Sequence, residues 1–94
     1  MIDRYADLRI FLISIGMLQV SYYSYATEIP SDKYRNINVY FDLTTGELRV
    51  VYPDIEYNMQ NPYSPKKRNN LVKLNTDDLE LCKHMIVKTI SNFM

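Results

Sequence analysis

The stretch INVYFDLTTGELRVVY, residues 37–52, constrains this chain more than any other segment. Two alternating apolar/polar arms flank Leu43-Thr44-Thr45-Gly46, and Gly46 supplies the left-handed backbone that such a hairpin turn needs. With Asp42 opposite Glu47, Ile37, Val39 and Phe41 share a face with Leu48, Val50 and Tyr52. Asn38, Tyr40 and Asp42 then share the other face with Val51, Arg49 and Glu47. Sliding one arm by a single residue would mix the two sets, so the alternation itself selects the register.

A hairpin with one greasy face needs a cover. Tyr5, Leu8, Leu12, Ile15 and Leu18 recur at three- and four-residue steps, which predicts a helix over 3–18. Phe11 and Ile13 widen that stripe and predict burial on more than one side. Asp3 suits the positive end of the helix dipole. A second helix is expected from about Thr76 to Asn92. Asn75 or Thr76 would cap it, Asp77 and Asp78 would sit in its first turn, and Leu79, Cys82, Ile86, Ile90 and Phe93 form its stripe.

Residues 20–27 switch to period two and read as a strand with tyrosine on both faces, closed by Pro30. Val20, Tyr22, Ser24 and Ala26 share one side; Ser21, Tyr23, Tyr25 and Thr27 share the other. Residues 53–70, with Pro53, Pro62 and Pro65, read as an irregular loop holding a short extended piece at Ile55–Met59. LVKL, 71–74, reads as a short final strand. The expected architecture is one α+β domain over 1–94. It has an N-terminal helix, a three- to four-stranded antiparallel meander and a C-terminal helix, with both helices on one sheet face.

Charge and composition exclude several functions. Eleven basic and eleven acidic residues cancel, so no overall positive field draws in nucleic acid. Ala and Gly occur only twice each while Tyr, Asn and Ile abound, a codon bias expected of an AT-rich phage, plasmid or low-GC bacterial genome. The single Cys82 rules out an intramolecular disulfide and fits a reducing cytoplasm. Ile10–Val20 has the length of a secretory apolar core, and Ser24-Tyr25-Ala26 resembles a cleavage site. The leader before it, however, balances Asp3 and Asp7 against Arg4 and Arg9. The run is also too short to span a membrane, so cytoplasmic residence and no membrane partner are expected.

No catalytic set is apparent. Cys82 and His84, two apart on a helix, diverge, and one His with one Cys builds neither a dyad nor a metal site. Asp42 with Glu47, and Asp77 with Asp78, are acids where a hairpin end and a helix start collect them for structural reasons. Two glycines cannot build a phosphate-cradling loop. No catalytic residue, cofactor or metal is therefore expected.

Two surfaces remain. Nine tyrosines and no tryptophan favour an interface, since tyrosine offers large contact area at little rotamer cost. The sheet face away from the helices would show Tyr23, Tyr25, Asn38, Tyr40, Asp42 and Arg49 to a protein partner or to a second copy of the chain. In the loop SPKKRNN, Lys66, Lys67 and Arg68 are candidate phosphate contacts. The helix–three strands–helix order is similar to that of double-stranded-RNA-binding domains, which set a basic helix start against phosphates. Here Asp77 and Asp78 would repel RNA at that place, so the likeness is one of topology. The leading expectation is a non-enzymatic protein–protein interaction domain, in its most specific form a phage or mobile-element inhibitor of a host or defence factor. The alternative is a small nucleic-acid-binding module that combines the basic loop with tyrosine stacking.

Overall fold

A computed structural model of the chain describes residues 3–94. Its elements run α1 (Ala6–Ser14), β1 (Leu18–Ser21), β2 (Ser24–Ser31), β3 (Arg35–Asp42), β4 (Glu47–Pro53), α2 (Ile55–Gln60), β5 (Lys67–Lys73) and α3 (Leu79–Ser91). The strands form one antiparallel meander in the order β1-β2-β3-β4-β5. The class is α+β as the sequence predicts, with five strands rather than three or four.

The central hairpin has the expected register: Asn38 pairs with Val51, Val39 with Val50, Tyr40 with Arg49 and Phe41 with Leu48. Gly46 closes its turn at φ +74°. Asp42 Oδ1 accepts hydrogen bonds from the Thr44 and Thr45 amides at 2.8 and 3.1 Å and from the Thr44 hydroxyl. That local network shapes the solvent side of the loop, while Leu43, fully buried in the core, anchors its inner side.

The inner face of the sheet carries Tyr25, Ile37, Val39, Phe41, Leu48 and Val50, packed against Leu8 and Leu12 of α1 and Cys82 and Ile86 of α3. Tyr34, Tyr52 and Phe93 close one end of this core with ring centroids 4.8–6.0 Å apart. Ser31 Oγ donates to the Phe93 carbonyl at 2.5 Å, pinning the end of α3 to the β2–β3 turn. Burying this apolar set supplies most of the favourable free energy of folding.

Several boundaries differ from expectation. α1 stops at Ser14 rather than 18 because Gly16 takes φ +95°. Gly16 N–H then donates to Ile13 O and Met17 N–H to Leu12 O, both at 3.0 Å, the paired bonds of a Schellman end. α1 also buries one side only: Leu8 and Leu12 are inside while Ile10 and Ile13 are exposed. Residues 20–27 are not one strand, since Tyr22 and Tyr23 form a tight turn between β1 and β2. Pro30 does not end β2: it pairs with Asn36, and β1 covers only Ser24–Ala26, so its missing N–H lies on a free edge.

Downstream, Ile55–Gln60 is helical instead of extended, because Asp54 caps it by accepting from Tyr57 N–H at 3.1 Å. The final strand is longer than 71–74 and takes up Lys67 and Arg68, which are therefore on a sheet edge and not in a loop. α3 is capped by Asp78, whose carboxylate accepts from Leu81 N–H at 3.3 Å, rather than by Asn75 or Thr76. Asp77 precedes the helix and pairs with Arg4 at 2.5 Å.

Candidate functional site

Period-two alternation dictates what the uncovered face of the sheet presents. Reading across the strands at one level gives Leu18, Ala26, Tyr40, Arg49 and Leu71. The next level toward the β3–β4 turn gives Ser24, Asp42, Glu47 and Lys73, and the level on the other side gives Glu28, Asn38, Val51 and Asn69. Both long helices pack on the opposite face, so Leu18, Tyr40 and Leu71 keep large exposed areas.

This outer face has relief. Val20, Tyr40, Asp42, Glu47, Arg49 and Leu71 rim a shallow depression of about 220 Å³. At the β2–β3 end, α2 forms a wall, and its Ile55, Asn58 and Met59 enclose with Glu28, Asn38 and Lys67 an open groove of about 1250 Å³. The wall is held by a reciprocal pair: Asn58 Nδ2 donates to Lys66 O at 3.1 Å and Lys66 N–H donates to Asn58 Oδ1 at 2.7 Å. The sequence reading missed α2 and hence the groove; Asp54 directly before the apolar Ile55 was the available signal.

The six expected contact residues separate into two groups. Tyr40, Asp42 and Arg49 come together at the depression, and Asn38 lines the groove. Tyr25 is 1% exposed and belongs to the core. Its odd-numbered position pairs it with Phe41 on the inner face, so it is unavailable to a partner. Tyr23 lies in the β1–β2 turn and stacks edge-on against Tyr5 and Tyr22 at 6.0 and 4.6 Å, away from Tyr40. Leu18, Val20 and Leu71 join the face instead: Leu18, expected in the first helix, opens β1, and Val20 and Leu71 lie in β1 and β5.

The Asp42 carboxyl is held below the usual carboxylate range, first by the Thr44 hydroxyl and then by the Thr44 and Thr45 amides, against a counteracting effect of burial. An acid so engaged is an anchor of the turn, not a proton donor. Burial, with Asp78 nearby, pushes the Cys82 thiol up, so it is a poor nucleophile. Among the described residues no three His, Cys, Asp or Glu side chains gather as a metal site, and no helix is long and apolar enough to cross a membrane.

The basic run is dispersed. Lys66 sits over the Tyr57 ring at 4.5 Å, while Lys67 and Arg68 alternate in β5 opposite Pro53 and Tyr52. Successive strand residues point to opposite faces, so Lys67 and Arg68 do not share one face of the sheet. No protein family, curated protein or solved structure matches this chain.

Proposed function

We propose that the protein is a non-enzymatic interaction domain that receives a protein partner on its outer sheet face. In its most specific form it is a phage or mobile-element inhibitor that occupies a host or defence factor in the host cytoplasm. The observation that carries the reading is the row Leu18–Tyr40–Arg49–Leu71: large apolar side chains around one arginine, on a face that no long helix covers. Exposed patches of this make-up, rimmed by polar groups such as Asp42, Glu47 and Asn38, mark docking surfaces. Tyrosine and arginine are also the residues that most often dominate binding energy at interface centres.

The test is affinity capture from an extract of the native host, with wild-type bait beside Arg49→Glu and Leu71→Lys baits. A partner held by wild type and lost by both variants is the expected result. Equal recovery by all three baits, or capture of nothing, would remove the proposal.

A further inference from the structure

We infer that the free edge of β5 receives an acidic, extended segment of a partner protein, which joins the sheet as a further strand. β5 is a terminal strand and pairs with β4 without interruption, from Pro53 with Lys67 to Glu47 with Lys73. Two bonds bracket this pairing and fix its phase: Asp54 N–H donates to Lys66 O at 3.0 Å, and Leu74 N–H donates to Gly46 O at 2.7 Å. Even-numbered residues of β5 therefore turn their backbone groups to β4. Those of Lys67, Asn69, Leu71 and Lys73 point away from the sheet. Among the described residues no backbone group of another segment bonds to that row.

The other edge is a poorer template. β1 has four residues and a register shift between Gln19 and Ser21, and the part of β2 beyond it lacks an amide at Pro30. β5 has seven residues and neither defect.

Charge selects the occupant. Residues 66–73 hold Lys66, Lys67, Arg68 and Lys73 and no acid, in a chain whose net charge is zero. Glu47 is the cross-strand neighbour of Lys73, yet among the described residues none of Lys67, Arg68 and Lys73 is in an ion pair. A two-fold contact through this edge would set the cations against their own images, so a second copy is disfavoured. The same cations attract an acidic strand. Lys67 and Lys73 stand on the outer side of β5 and Arg68 on the inner side. That split suits a polypeptide strand, whose side chains alternate in the same way, better than a single line of phosphates. Between the cations, Leu71 is 52% exposed and Val72 is half-buried. The complementary strand thus carries acids opposite Lys67, Arg68 and Lys73 and apolar residues opposite Leu71 and Val72. Main-chain bonds to the free row supply its affinity, and the alternating side chains supply selectivity.

The probe is the capped peptide Glu-Val-Val-Thr-Thr-Glu-Glu, which places those residues when it lies antiparallel to β5, titrated into the full chain and followed by amide NMR. Binding in the micromolar to submillimolar range, weakening as salt rises, is the expected result. With excess peptide, the amides of Lys67, Asn69, Leu71 and Lys73 should exchange more slowly, while those of Arg68, Asn70 and Val72 change little. Lys67→Glu and Lys73→Glu should each weaken binding roughly tenfold, and Lys33→Glu, in the β2–β3 turn, should leave it unchanged. Circular dichroism confirms that each variant is folded. The same peptide with lysine for glutamate, and a single-stranded DNA oligonucleotide, should bind more weakly. No binding of the acidic peptide overturns the inference. So does equal binding of the lysine peptide, tighter binding of the oligonucleotide, or protection that misses the four edge amides. The inference does not rest on the outer-face reading, and because these variants leave Arg49 and Leu71 intact, failure of one is separable from failure of the other.

Discussion

Gly46 and Leu74 are locked backbone to backbone: Leu74 N–H donates to Gly46 O at 2.7 Å, and a Cβ on Gly46 would collide with the Leu74 carbonyl oxygen. The turn of the central hairpin is thereby stitched to the end of β5.

Replacing Gly46 with alanine should therefore be costly twice over. The left-handed φ of +74° penalises any side chain by about 1–2 kcal/mol, and displacing the Leu74 backbone adds to this. A total of roughly 3 kcal/mol or more is expected. Gly16→Ala is the control: φ is +95° but the space is open, so only the backbone penalty applies. Denaturation midpoints of the two variants should differ in that order; equal midpoints would show that the Leu74 contact is slack.

Asp42 should make stability sensitive to acid. Its folded-state carboxyl lies below the 3.8 of an unperturbed aspartate, so its contribution is fully present above that pH. The contribution is lost as pH falls below that value through the folded pKa. Asp42→Ala should destabilise the chain at neutral pH by about 1 kcal/mol and flatten its pH profile below 4. Urea titrations of both proteins between neutral and strongly acid pH measure this.

Cys82 should act as an internal reporter of unfolding. It is 1% exposed and its thiol is raised by burial, so native protein should resist alkylation at neutral pH. Reaction with a thiol reagent should appear only across the denaturant transition, coincident with loss of circular dichroism. Rapid labelling of native protein would contradict the packing of Cys82 among the core residues.

Outer-face substitutions should separate binding from folding. Tyr40→Ala and Leu71→Ala remove side chains that are about half exposed, so stability should move by no more than about 0.5 kcal/mol. Ile86→Ala, fully buried, should cost about 2–5 kcal/mol and serves as the opposite extreme. Thermal melts recorded beside the capture assay would reveal any outer-face variant that acts only by unfolding the chain.

The sequence alone determined the central hairpin to the residue and identified the stripes of both long helices, in which Leu8, Leu12, Cys82 and Ile86 are buried. These features are repeated locally: alternation along each arm and three- and four-residue steps along each helix, with Gly46 marking the turn. Tyr40, Arg49 and Asn38 were legible as outer-face residues for the same reason. What tertiary structure decided is where pairing partners begin and end. The period-two pattern runs unbroken through Tyr22 and Tyr23, so nothing local marked the turn that separates β1 from β2 and sends Tyr25 into the core. Nor does the apolar stripe of residues 5–18 tell that Ile10 and Ile13 stay outside; only the placement of α3 and the sheet edge does. Periodicity says which residues share a side, but a side becomes buried or free only when another element arrives to cover it.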